Sequence, residues 1–116
     1  MIPQCKKSEN ILDVTDSKYN IRTRVFRKGK IIQVFLYTLN WGEAVSTGTV
    51  GHVLAILPED CRPFDNLTEH VETAVNNKIS VVIRANGNIE LAYSYNNIPA
   101  NSIVNQVAKN FTFIAS

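Results

Sequence analysis

The stretch ISVVIRANGNIELAYS, Ile79 to Ser94, sets two apolar, β-branched runs on either side of Asn86-Gly87. Asn-Gly between such runs is the strongest short-range signal for a β-hairpin, because the tight type I′ turn needs positive φ at both central residues. The chain is therefore expected to be built from antiparallel strands, and the remaining sequence supplies them.

From Tyr19, YNIRTRVF alternates Ile21, Thr23 and Val25 against Arg22, Arg24 and Phe26, the period of two that marks a strand. RKGK provides a glycine turn, and KIIQVFLYTL follows with apolar residues on both faces. Such a strand lies deep in a sandwich or has its second face covered by a partner chain. TVGHVLAIL is a further strand stopped by Pro58, EHVETAV alternates again, and FTFIAS closes the chain. The Asn-rich NNIPANSIVNQVAK has the length for one helical turn, weakened by Pro99. Residues 1–18 are polar and aperiodic and read as a linker or docking segment; residues 19–116 read as one domain. The expected fold class is all-β, an antiparallel β-sandwich or jelly-roll-like domain.

At 116 residues the chain suits a single domain, and its 45% hydrophobic and 19% charged residues are ordinary for a globular protein. A net charge of +2 is too small to point to nucleic acid, and the basic RVFRKGK reads as a solvated hairpin. No apolar run approaches the ~18–20 residues of a membrane-spanning helix. The N-terminus lacks the apolar core of a signal peptide, so synthesis in a cytosol is expected. Cys5 and Cys61 have no metal-ligand spacing and are expected as free thiols. The sequons at Asn66 and Asn110 are then chance matches.

Candidate chemistry is sparse. ILPEDCRPF places Asp60, Cys61 and Arg62 together, but neighbours in a turn point apart, and the only imidazole bases are His52 and His70. Pro58 ends a strand, Pro63 pushes Arg62 toward extended geometry, and Phe64 is expected to return the chain to the core. Glu69, His70 and Glu72 are the nearest approach to a metal set, and a solvated strand face explains them better. The expectation is a protein that is not an enzyme and has no cofactor and no metal. Binding remains. Saccharide recognition combines an aromatic face with hydrogen-bonding side chains, the mixture that Trp41 offers with Asn40 and Glu43; His70, Glu72 and Arg84 add hydrogen bonds from strand faces. The competing reading packs Trp41 over the edge of the core. Tyr93 and Tyr95 suit the core or an interface.

The order RKGKIIQVFLYTL, GTVGHVLAILPEDCRP, ISVVIRANGNIELAY, IPANSIV and FTFIAS resembles the C-terminal head-like, receptor-binding domain of tail-fibre and baseplate proteins from phages of Gram-positive bacteria. Leu57-Pro58 followed by Arg62-Pro63 carries most of that likeness, which runs from about Tyr19 to the C-terminus. It implies a homotrimeric β-sandwich head on a phage virion, at the tail tip or baseplate. Such a head is made in the bacterial cytoplasm and contacts other tail or baseplate proteins and a host cell-wall saccharide or teichoic acid. It implies no cofactor; no nucleic-acid partner is expected from the small net charge, and no membrane partner from the lack of a long apolar run. Residues 1–18 depart from the shaft or neck usual in that family. Two other functions fit the same elements: a structural tail or baseplate domain that touches no sugar, and a small cell-wall hydrolase.

Overall fold

The computed structural model describes residues 9–116. Eight strands run in chain order: β1 Glu9–Thr15, β2 Arg22–Lys28, β3 Ile31–Thr38, β4 His52–Ile56, β5 Leu67–Glu72, β6 Lys78–Ile83, β7 Asn88–Ser94 and β8 Val107–Ile114. They form two four-stranded antiparallel sheets, ordered β1-β2-β3-β8 and β4-β7-β6-β5. The fold is all-β, with a single 3₁₀ turn, Glu59–Cys61, as its helical content among the described residues. One hydrophobic core draws on both sheets, with Val25, Ile32, Val34 and Leu36 from the first and Ile79, Val81, Ile83, Ile89 and Leu91 from the second. Strands β5, β6 and β7 follow one another, while β4 lies beside β7, so the connection from β4 to β5 crosses the sheet in Greek-key manner.

The segment read as a linker or docking segment is regular structure where it is described. Residues 9–15 form β1, the edge strand beside β2. Its alternation is hidden in the sequence by an irregularity between Asn10 and Leu12. Asp13 fastens it, accepting hydrogen bonds from Arg22 Nε (2.8 Å) and Nη2 (2.6 Å). That bond from Arg22 holds the Asp13 carboxyl below its ordinary value. Cys5 lies outside the described residues. The Asn-rich stretch before β8 contains no helix, and β8 begins at Val107, earlier than FTFIAS suggested. Lys109 shares the inward side of this edge strand with Val107, Phe111 and Phe113, as its pairing with Leu36 shows.

The Asn86-Gly87 hairpin forms, but not as type I′. Arg84 N–H donates to Asn88 O (2.8 Å) and Gly87 N–H to Arg84 O (2.8 Å), leaving a three-residue loop, Ala85 to Gly87. Only Gly87 has positive φ, +99°, the pattern of a type I turn followed by a left-handed residue. The β5–β6 hairpin repeats the design, with Thr73 N–H donating to Asn77 O and Asn76 at φ +66°.

The ILPEDCRPF stretch closes against this hairpin. Leu57 N–H donates to Gly87 O (2.8 Å), Arg62 Nε to Leu57 O (3.2 Å), and Ser116 N–H to Arg62 O (2.8 Å). A Cβ on Gly87 would stand 2.6 Å from Arg62 Nε and 2.8 Å from Leu57 O, so glycine is required for space as well as for φ. Cys61 is 1% exposed within the core, which accounts for its identity as a small apolar residue. Burial pushes its thiol up, as does its 3.4 Å hydrogen bond to the Asp60 carboxylate. Phe64 does not return to the core: it is 72% exposed, and Pro63 is the buried residue.

Two outcomes test this account. Gly87→Ala is expected to lower stability by more than about 1 kcal/mol, since it adds a left-handed non-glycine residue to a steric conflict; an unchanged urea midpoint would show that the Arg62 seat is loose. Thr23 is fully buried and its hydroxyl has no hydrogen-bond partner. Thr23→Val is expected to raise stability by about 1 kcal/mol in the same measurement, because an unpartnered buried hydroxyl costs more than a methyl group.

Candidate functional site

Side chains along a strand alternate between faces, so Ile89, Leu91, Tyr93 and Tyr95 should all point one way. They do not. Ser80 pairs with Tyr93 while Val81 pairs with Leu91, which inserts one extra residue, Ala92, into β7. Ile89 and Leu91 stay in the core, fully buried; beyond the bulge Ser94 takes the inward place, also fully buried. Tyr93 and Tyr95 are thereby turned to the outer face of the second sheet, 37% and 41% exposed.

There they meet residues from β5 and β6. His70 pairs with Ser80, and Glu72 with Lys78, across the β5–β6 ladder. The Tyr93 and Tyr95 ring centroids lie 4.8 Å apart at 63°, and the His70 ring is edge-on to Tyr95 at 5.6 Å. Ser80 Oγ donates to Tyr95 Oη (3.3 Å), and Lys78 Nζ sits 4.8 Å from the Tyr95 centroid, a cation–π contact. The exposed Glu72 carboxylate has no ion-pair partner within 4.0 Å among the described residues. This face combines two amphipathic rings and an imidazole with an ammonium donor, a carboxylate acceptor and the two tyrosine hydroxyls, while the Ser80 hydroxyl lies buried beneath it. It offers C–H-rich surfaces a place to stack and polyols a set of hydrogen-bond partners.

Trp41 is not part of it. The indole is fully buried, its N–H donating to Asn105 O (2.7 Å), with Tyr19 edge-on at 6.2 Å. Its backbone is drawn inward by Gly42, where a Cβ would stand 2.8 Å from Lys18 O. The acceptor belongs to a satisfied buried cluster. Asn105 Oδ1 accepts from Thr73 Oγ1 (3.1 Å) and Asn77 Nδ2 (2.7 Å), while its Nδ2 donates to Ser102 Oγ (2.7 Å). Stacking of Trp41 on a sugar is excluded by this burial. The competing reading, Trp41 packed on the core, is the correct one.

The other expected site residues divide. His70 and Glu72 are brought together with the tyrosines. Asn40 and Glu43 are exposed beside the buried Trp41, and the Asn40 carbonyl accepts from Asn20 Nδ2 (2.9 Å). No hydrogen bond or ion pair among the described residues joins them to His70 or Glu72. Arg84 stands four residues beyond Ser80, about 13 Å along the strand direction, and its Nε is taken by Glu90 Oε2 at 2.7 Å. Lys78 and Ser80 carry no sequence signal, and Tyr93 and Tyr95 share the parity of Leu91, which hides their outward placement. His52 is edge-on to Tyr19 at 5.0 Å with its Nε2 2.6 Å from Asp16 Oδ1, which ties the β1–β2 turn to the second sheet. No cluster of three or more His, Cys, Asp or Glu suited to a metal ion occurs among the described residues.

Comparison with protein-family models matches no family, and a search of the curated proteins finds no match to this chain.

Because Trp41 is the only tryptophan, its emission reports the core. Iodide is expected not to quench it in the folded protein, with quenching and a red shift appearing on unfolding. Trp41→Ala is expected to cost about 3–5 kcal/mol. Quenching of the native protein would place the indole at the surface instead.

Proposed function

We propose that this protein is a saccharide-binding module that attaches without cleaving, and that its binding surface is the Tyr93–Tyr95–His70 face of the second sheet. One observation carries the reading: the bulge at Ala92 turns two large rings outward that strand parity would bury. Exposing two tyrosines side by side forgoes the apolar burial that stabilises a small sandwich, which points to a use for them at the surface. Lys78 and Glu72 supply the directional polar partners that fix orientation in such sites, and the buried Ser80 hydroxyl holds Tyr95 in place.

The Leu57-Pro58 and Arg62-Pro63 spacing supports placing the module among head-like domains of phage tail fibres and baseplates. The Greek-key crossover from β4 to β5 supports a jelly-roll-like relationship. In that setting the module is a homotrimer on a virion, its ligand a host cell-wall saccharide or teichoic acid, and weak single sites gain from multivalency.

A second reading has its own observation. The outer face of the first sheet presents Phe26 edge-on to Phe35 at 5.6 Å, Arg24 over Phe26 at 5.0 Å, and exposed Ile31 and Ile114. An apolar groove of about 380 Å³ runs beside them between Phe35, Tyr37, Leu39 and Ala108. Aromatic and arginine-rich surface of this kind suits a protein interface. It favours a structural tail or baseplate domain, or the subunit contact of an oligomer.

Pull-down of the purified protein on cell walls of Gram-positive bacteria separates the two. Binding is expected, weakened about tenfold by Tyr95→Ala or Tyr93→Ala, a loss of about 1.4 kcal/mol, and unaffected by Phe35→Ser. Absence of binding, with Phe35→Ser instead dissociating an oligomer in light scattering, would favour the structural reading.

A further inference from the structure

Asn86-Gly87 sets a side-chain carboxamide next to a backbone nitrogen with no side chain to shield it, and every other asparagine of the sequence is followed by a larger residue. We propose that Asn86 is a latent covalent-modification site, opened when the hairpin tip comes away from Leu57 and Arg62. The Gly87 nitrogen attacks Asn86 Cγ, forming a C–N bond. The bond from Cγ to the side-chain nitrogen breaks, and that nitrogen leaves as ammonia with the proton from the Gly87 amide. Water then opens the resulting succinimide at one of its two carbonyls, leaving aspartate or isoaspartate at position 86. One water is consumed, one ammonia is released, and nothing is oxidised or reduced.

The folded hairpin bars this step at each point. Gly87 N–H is committed to Arg84 O at 2.8 Å. The Asn86 carboxamide is pinned in the other direction, its Oδ1 accepting from Asn88 N–H at 3.0 Å. Asn86 is the third residue of a type I turn, where ψ is about 0°, whereas ring closure needs the Gly87 nitrogen swung toward Cγ. Gly87 itself cannot swing, because Leu57 N–H holds its carbonyl at 2.8 Å and the Arg62 side chain lies against its Cα. Asn86 is exposed, so water is not limiting. The rate is therefore set by local opening of the tip, and Arg62 acts as a positioning residue that controls it.

The two products differ in consequence. Aspartate adds a charge and keeps the loop length. Isoaspartate routes the backbone through the side chain and adds a methylene to a three-residue loop. Gly87 then no longer fits its seat, and the seam from Leu57 through Arg62 to Ser116 is disturbed.

The test follows deamidation by mass spectrometry of the peptide containing Asn86, with isoaspartyl methyltransferase labelling, at neutral pH and body temperature. The folded protein, the urea-unfolded protein and a synthetic peptide spanning Ile83 to Leu91 are compared. The unfolded protein is expected to match the peptide and the folded protein to react at least about tenfold more slowly. Arg62→Ala, shown to be folded by circular dichroism, is expected to move the folded rate toward that of the peptide, with Arg62→Lys in between. Hydrogen exchange at the Gly87 amide gives a reading free of substitutions, and protection is expected there. Equal rates in folded protein and peptide, an Arg62→Ala rate equal to that of the unsubstituted protein, or a Gly87 amide exchanging as in an unfolded chain would each overturn the proposal.

Discussion

A buried amide, the side chain of Asn105, ties together parts of the chain that no ladder connects. Its oxygen takes hydrogen bonds from the β5–β6 turn, its nitrogen gives one to Ser102, and its backbone carbonyl holds the indole of Trp41. A primary amide left partly unpaired in a core is more costly than a hydrocarbon of the same size, so a cluster like this is stable only when complete. Its hydrogen bonds fix the irregular chain between β7 and β8. That segment in turn sets where β8 enters the first sheet, and where the loop after β3 crosses the core. The course of this segment and the burial of the tryptophan are two results of one arrangement.

Much of the architecture was legible in residue pattern, and the exceptions have physical reasons. Strands β2, β3, β4, β6 and β7 announce themselves through alternation or β-branched runs, which are local properties. Strand β1 does not, because a bulge breaks its period and the ion pair that reinforces its ladder is to Arg22, nine residues away. Trp41 was ambiguous because its acceptor lies 64 residues along the chain. The hairpin tip was recognised as a turn but mistyped, since closure by Arg84 and Asn88 lengthens the loop by a residue.

The candidate face was the least legible part, and for one reason. Ile89, Leu91, Tyr93 and Tyr95 share a parity that assigns all four to the core, and a single inserted residue reverses the last two. Nothing in AYS distinguishes a bulge from a regular strand. His70 and Glu72, by contrast, lie on the solvent side of a regular strand, so their common face followed from spacing alone. The tryptophan offered by the sequence as a stacking platform is in the core, and the two tyrosines of β7 are at the surface.

The position of Lys109 has a consequence for how copies of this protein can meet. Strand β8 is an edge eight residues long, with one side of its backbone unpaired by the sheet. Its lysine begins on the core side and stays half-buried. A further strand added along this edge would cover the ammonium and strip its water, with no carboxylate within 4.0 Å among the described residues to replace it. Growth of the sheet by strand addition is therefore penalised at this edge. The charge acts as a gatekeeper against open-ended cross-β stacking along this edge.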